Sequence, residues 1–238
     1  MEDKATGKKV LAIIPSGGMG RRMGSKRKNY LPLNGVPVLA RALAPFEAST
    51  LVTAIVVVVG AGDEDFCRRE IVDKHSFKKV VSVTAGGPER QDSVYNGVRA
   101  AGGGWDYMVV HDGARPLVTL DAVEDTLRAA RRSGCAVSAV RVKDTVKEVS
   151  GGVVKRTLPR DLLWAVHTPQ AFRADILSKA LEAAASDGFL GTDESSLVER
   201  LGFDVTVVEG SYENIKITTG EDMALAGCIL DWRESGGR

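Results

Sequence analysis

Cysteine is scarce in this chain: Cys67, Cys135 and Cys228 are the only three in 238 residues, and no two form a Cys-x-x-Cys pair. An odd, scattered set of thiols excludes a disulfide scaffold and a zinc ribbon, and reads as buried bystanders in a reduced compartment. Long apolar runs are missing too. Residues 1–9 precede only five apolar residues before Pro15, too few for a secretory signal, and residues 51–59 fall far short of a membrane span. The expectation is a soluble, cytoplasmic protein with no membrane partner. Neither sign of charge dominates: 32 Lys plus Arg against 31 Asp plus Glu leave a net charge of +1, which argues against a nucleic-acid partner.

What is present is most concentrated near the N-terminus. Val10-Leu-Ala-Ile-Ile14 breaks at Pro15 into Ser16-Gly17-Gly18-Met19-Gly20-Arg21-Arg22-Met23-Gly24. Five apolar residues suit a buried strand, and the glycines can take backbone angles closed to other residues, so that peptide N–H groups converge on an anion. Arg21, Arg22, Lys26, Arg27 and Lys28 gather positive charge on the same loop of an otherwise balanced chain. A glycine turn used for sterics alone needs no such charge, so the loop reads as a phosphate cradle. Two common versions fail on spacing. Gly20-Arg-Arg-Met-Gly24-Ser25-Lys26 is not a Gly-x-x-x-x-Gly-Lys-Ser/Thr loop, and a dinucleotide fingerprint needs glycine where Met23 stands and an acid where the second strand ends in Val59-Gly60.

Short apolar runs at 10–14, 54–59, 80–83, 107–110 and 136–140 alternate with segments at 36–48, 64–74, 90–101 and 120–132. The latter carry apolar residues every three or four positions, as Val123, Leu127 and Ala130 do. This alternation predicts an α/β fold with a doubly wound, mainly parallel sheet that binds ligands beyond the carboxyl ends of its strands. After residue 140 the period changes. Residues 141–149 alternate apolar with polar, Ser150-Gly151-Gly152 is a turn, and residues 153–158 extend again, predicting a β-hairpin. Two strands alone are marginal in water, so the hairpin should pack on something, with a second subunit the natural candidate. A strand at 164–167, helices at 171–185 and 192–201, a strand at 205–208 and a helix at 221–232 follow. No linker or repeat divides the chain, so residues 1–238 read as a single domain with 141–160 as an inserted arm.

Three further segments carry chemistry. Ala85-Gly-Gly87-Pro88-Glu-Arg90-Gln-Asp-Ser93 leads from the third strand into a helix, where amides, Arg90 and Ser93 can grip a ligand or where Ser93 is only a first-turn hydroxyl. His111-Asp112-Gly113-Ala-Arg115-Pro116 follows the fourth strand. Asp112 and Arg115 there either pair locally or meet a substrate hydroxyl or metal and an anion, while His111 reads as a structural ring. In Asn214-Ile-Lys216-Ile-Thr218 the lysine either caps an edge strand or returns to the first loop to bind phosphate.

Together these segments resemble the 2-C-methyl-D-erythritol 4-phosphate cytidylyltransferase family. The resemblance runs over nearly the whole chain and includes Lys28-Asn-Tyr-Leu-Pro-Leu33, Gly86-Gly-Pro-Glu-Arg-Gln-Asp-Ser93, His111-Asp-Gly-Ala-Arg-Pro116, Val142-Lys-Asp-Thr145-Val-Lys147, Arg160 with Trp164, Thr168-Pro-Gln170, Thr192-Asp-Glu194 and Asn214-Ile-Lys-Ile-Thr218. It implies a Rossmann-like nucleotidyltransferase that moves CMP from CTP to methylerythritol 4-phosphate with release of pyrophosphate, in non-mevalonate isoprenoid biosynthesis. An ionised substrate phosphate attacking in line needs no general base, so the task is to align two anions and stabilise added charge. By resemblance Arg22 and Lys28 stabilise the transition state, and Arg160 and Lys216 position the substrate phosphate. Thr145, Asp112, Arg115, Thr168 and Thr192 match positions around methylerythritol. Pro15, Ser16, Gly17, Gly18, Gly20, Gly87, Arg90, Ser93 and Gly113 match positions around the nucleotide. Mg²⁺ is implied, held mainly by nucleotide phosphates with no protein ligand assigned. The 141–160 hairpin becomes a homodimerisation arm that lends Thr145 and Arg160 to the partner's site.

This chain departs from the family's usual Pro-Ala-Ala-Gly at Pro15-Ser16-Gly17-Gly18 and from Pro-Lys-Gln at Arg27-Lys28-Asn29. Pro88 replaces a common aspartate, and proline has no N–H to offer a base. The rival readings are a ribitol 5-phosphate cytidylyltransferase and a catalytically silent nucleotide-binding regulator. Retention of both Arg22 and Lys28 weighs against the second.

Overall fold

A computed structural model describes residues 7–18 and 28–236. The chain begins in the centre of its sheet. Strand β1 (Val10–Pro15) is followed by a two-residue hairpin, β2 (Pro32–Leu33) and β3 (Val36–Pro37), and by helix α1 (Val38–Ala48). Strand β4 (Ala54–Val59), the short α2 (Glu64–Cys67), β5 (Val80–Ala85), α3 (Arg90–Ala101) and β6 (Tyr107–Val110) come next. Helix α4 (Leu120–Ser133) leads to β7 (Cys135–Arg141), the arm strands β8 (Lys147–Ser150) and β9 (Val153–Thr157), and β10 (Trp164–Arg173). The chain ends through α5 (Ala174–Ser186), α6 (Glu194–Arg200), β11 (Thr206–Glu209) and α7 (Gly220–Glu234). None of these helices is long and apolar enough to cross a membrane.

Seven strands form one sheet in the order β11-β7-β10-β6-β1-β4-β5. The chain winds outward from β1 to β5, then returns to place β6 on the other flank of β1. The strand order reverses between β1 and β6, and the segments that follow β1, β4, β5 and β6 line a crevice at the carboxyl ends of these strands. Strand alternation divides the core in two. Ala12, Ile14, Val57 and Val109 face Leu43 and Phe46 of α1 and Leu127 of α4, while Leu11, Ile13, Val56 and Val110 face Val94 of α3 and Leu177 of α5. A smaller cluster of Leu33, Val38, Leu117, Ile217 and Leu230 seats α7 and the segment before it.

The doubly wound, mainly parallel sheet holds, with β10 antiparallel to both β6 and β7. Local boundaries need correction. Residues 171–173 finish β10 instead of opening a helix, because Ala171 and Phe172 are wholly buried between β6 and β7. The helix at 64–74 is α2 continued by a π-helical stretch over Arg68–Asp73. Residues 192 and 193 precede α6, where Asp193 accepts the Ser196 N–H as its cap. The 141–160 hairpin forms as β8 and β9, turning at Gly151 (φ 58°) and Gly152 (φ 76°), a left-handed pair open to glycine. Every residue of both strands is exposed.

Candidate active site

At the end of β1 the chain folds back across the sheet edge. Ser16 N–H donates to Val58 O at 2.6 Å, and Asn29 Nδ2 donates to Ser16 O at 2.8 Å, so the start and end of the first loop are tied together. Gly17 lies so close to β4 that a Cβ would sit 3.3 Å from the backbone of Val59 and Gly60. Gly113, in the loop after β6, is under Ser16: a Cβ there would collide with Ser16 Oγ. Gly20 and Arg22 lie outside the described residues. Lys28 is placed, and its Nζ donates to Ile217 O at 2.9 Å.

That contact brings the C-terminal segment into the site. Ile217 N–H donates to Ala114 O at 2.8 Å, and Thr218 is held by Asp222 at the start of α7. Lys216 is therefore not an edge-strand lysine. Its Nζ lies 2.9 Å from Asp112 Oδ2, inside the crevice.

The crevice has a volume of about 860 Å³, ample for a nucleotide. Its lining includes Arg90 and Lys216, both paired with Asp112, together with Lys28, the small residues Gly60, Ala61, Gly86, Gly87 and Pro88, and Glu89. Pro15, Ser16, Gly17, Gly18 and Ser93 also line it. Ser93 serves its own turn: Oγ accepts from Gly87 N–H at 3.2 Å and donates to Glu89 O at 3.1 Å. A Cβ on Gly86 would lie 2.6 Å from that oxygen, so this turn depends on glycine.

Asp112 is the hub of the charged side. Arg90 Nε donates to Oδ1 at 2.8 Å, and Arg115 Nε stands 3.5 Å from Oδ2. Burial favours the neutral acid, but Arg90, Lys216 and Arg115 outweigh it and hold the Asp112 carboxyl far below the usual range. Arg115, buried behind the cavity wall, donates Nη1 to Asn214 O at 2.7 Å. Burial lowers its pKa, partly opposed by Asp112. Arg90 also donates Nη1 to Glu194 Oε1 at 2.7 Å. Burial of Arg90 opposes its charge, and Glu194 and Asp112 more than reverse that effect.

His111 is structural, as its sequence context indicated. Its Nε2 faces Arg115 O at 3.1 Å, so that nitrogen carries the proton and Nδ1 accepts from Thr168 Oγ1 at 3.0 Å. Thr168 Oγ1 in turn accepts from Asp112 N–H at 3.0 Å. Burial lowers the His111 pKa to about 4, leaving the ring neutral. Thr168 thus supports the Asp112 loop from behind.

Thr145, Arg160 and Thr192 do not join this cluster within the chain. All three are exposed, and Arg160 Nη1 donates to Lys143 O at 2.8 Å near the arm. Sequence reasoning missed the contribution of Glu194, 1% exposed and bound to Arg90. Its motif was visible, but nothing local to the sequence marks an acid in the first turn of a helix as buried. Among the described residues no group of three or more His, Cys, Asp or Glu side chains is arranged to hold a metal ion.

A glycine-bearing turn after β1 and two lysines, Lys28 and Lys216, lining one crevice at the switch point of a doubly wound sheet are the features of a nucleotide-handling α/β protein. Over residues 10–232 the chain matches the family described as 2-C-methyl-D-erythritol 4-phosphate cytidylyltransferase. The protein of that name from Geobacter metallireducens is 50% identical over 225 residues, 93% of this chain and 97% of the relative. That from Geotalea uraniireducens is 47% identical over 225 residues, with the same coverage. The crystal structure of 4-diphosphocytidyl-2C-methyl-D-erythritol synthase from Anaerococcus prevotii matches with a TM-score of 0.84 at 30% identity, over 94% of this chain and 99% of that one. The Francisella tularensis 2-C-methyl-D-erythritol 4-phosphate cytidylyltransferase matches with a TM-score of 0.79 at 34% identity, over 93% and 99%. This chain belongs to the 2-C-methyl-D-erythritol 4-phosphate cytidylyltransferase family.

Proposed function

We propose that this chain is a cytidylyltransferase that transfers CMP from CTP to 2-C-methyl-D-erythritol 4-phosphate in non-mevalonate isoprenoid biosynthesis, forming 4-diphosphocytidyl-2-C-methyl-D-erythritol and pyrophosphate. The observation that carries the assignment is the convergence of Lys28 and Lys216 on one crevice between the glycine loop and Asp112. Two anions must approach each other there, and two cations from opposite ends of the chain offset their repulsion.

In this reading the neutral slot at Gly60, Gly86, Gly87 and Pro88 takes the base, and the first loop, including Gly18 and Gly20, takes the triphosphate. The substrate phosphate is the nucleophile, so the chain holds no proton for it. Lys28, with Arg22, meets charge that grows on the α-phosphate; Lys216 leaves Asp112 for the substrate phosphate, and Asp112 then accepts a polyol hydroxyl. Arg115 keeps Asp112 ionised throughout. Asp112 pairs with Arg90 and Lys216, and among the described residues no three His, Cys, Asp or Glu side chains are grouped to hold a metal ion. Mg²⁺ would enter on nucleotide oxygens and water, where it supplies Lewis acidity to phosphate. The exposed arm pairs two chains into a homodimer and delivers Arg160 and Thr145 to the neighbouring site. Thr192 contributes from the segment just before α6.

The test is pyrophosphate release with four nucleoside triphosphates against two polyol phosphates, with and without magnesium. Magnesium-dependent turnover of CTP with methylerythritol 4-phosphate is expected. A higher kcat/KM with ribitol 5-phosphate overturns the substrate assignment.

A further inference from the structure

We propose that Glu194 is a positioning residue for the reaction, acting through Arg90 to hold Asp112 against the polyol. The proposal rests on the reading of Asp112 as a polyol partner. Glu194 opens α6 and lies outside the cavity wall, yet its Oε1 takes Arg90 Nη1 at 2.7 Å while Arg90 Nε donates to Asp112 at 2.8 Å. One guanidinium thus joins α6, α3 and the loop after β6.

Glu194 is held at a cost. It is buried, its Oε2 has no hydrogen-bond partner among the described residues, and burial pushes its pKa up despite Arg90. Well-packed apolar residues replace buried ion pairs with little loss of stability, so packing alone does not explain a carboxylate here. What it supplies is direction. With one nitrogen of the fork on Glu194, the guanidinium plane is fixed and Nε faces Asp112. Arg90 also lines the cavity, with its side chain 29% exposed. Released from Glu194, it can turn to an incoming triphosphate, and Asp112 then loses one of its two closest partners.

The signs separate this role from bulk electrostatics. Removing the Glu194 charge leaves the site more positive by one unit, which at long range strengthens binding of both anionic substrates. Loss of Asp112 positioning weakens use of the polyol phosphate alone.

The experiment compares wild type, Glu194→Gln, Glu194→Ala and the exposed control Glu199→Gln on the same helix. Thermal melting, KM for each substrate and kcat are measured, and Glu194→Gln is repeated in an Asp112→Asn background. For Glu194→Gln, kcat/KM for the polyol phosphate should fall roughly 10- to 100-fold while KM for CTP stays within about threefold or drops, since small misplacements near reacting groups carry penalties of this order. Glu194→Ala should go further, Glu199→Gln should match wild type, and the Asp112→Asn background should absorb most of the effect. A folded Glu194→Gln with wild-type polyol kinetics, or an equal loss without Asp112, overturns the proposal. Should Glu194→Gln not fold, Glu194→Asp, which keeps the charge and shortens the reach, is held to the same criteria. If the wild type prefers ribitol 5-phosphate, the substrate assignment fails and the Glu194 test runs unchanged on that polyol.

Discussion

Lys28 donates from Nζ to the carbonyl oxygen of Ile217 at 2.9 Å, which fastens the end of the first loop to the segment carrying Lys216. The two lysines thereby line one crevice although they stand near opposite ends of the chain.

Their contributions should divide between rate and binding. Lys28→Ala is expected to lower kcat by about 10²–10³, because a donor to developing charge acts mainly in the transition state. Calorimetry should find CTP affinity much less changed. Lys216→Ala should act on the other substrate, with kcat/KM for the polyol phosphate reduced by roughly 1.5–3 kcal/mol, the range for a hydrogen bond to a charged group. CTP binding lost in step with rate in Lys28→Ala would make Lys28 a ground-state anchor.

Gly113→Ala tests the fit between two site loops. The new methyl group would press on Ser16 Oγ and Leu39 Cδ1, so these side chains must shift. A loss of about 1–3 kcal/mol in stability is expected from such overpacking, with KM for CTP raised. Gly103→Ala, with open space around its Cβ position, is the control and should stay within about 0.5 kcal/mol of wild type.

The buried ring of His111 sets an acid limit on stability. Folded, it stays neutral down to about pH 4; unfolded, it takes a proton near 6.5. Stability is therefore full above 6.5 and falls as pH drops toward 4, by about 3 kcal/mol over that interval. Burial also lowers His167 to about 4, which adds a slope of the same sign. Urea melts at pH 7 and 5 should show His111→Gln losing less stability between the two than wild type does. Equal losses would mean that His111 is solvated.

Sharing of sites across a dimer is open to a mixing experiment. Arg160→Ala and Lys28→Ala should each be inactive for different reasons. If the two residues serve one site from opposite chains, a heterodimer of the mutants contains one intact site. Free exchange makes about half the dimers heterodimers, so roughly a quarter of wild-type activity should return. Verified exchange without recovery would place Arg160 in the site of its own chain.

Much of the architecture was legible because it rests on local periodicity. The apolar runs became β1, β4, β5, β6 and β7, and the turn at Gly151-Gly152 marked the arm. The misreading of residues 171–173 has a physical cause. Ala171 and Phe172 are compatible with either helix or strand, and only pairing with β6 and β7 selects the extended form. In the site, the first loop, Asp112 and Lys216 stood out by residue type. The partners of Arg90 did not, because guanidinium chemistry suits a phosphate as well as a carboxylate.

By itself, the sequence determined the order of the main strands and helices, the glycine loop and the residues able to carry charge into it. Those follow from backbone freedom, hydrophobic period and side-chain chemistry, which act over a few neighbouring residues. Only the tertiary structure decided that Lys216 faces Asp112, that Thr168 serves His111, and that Glu194 is buried on Arg90. Each of these joins residues from separate elements, and the free energy of a buried charge depends on which partner the fold brings within reach.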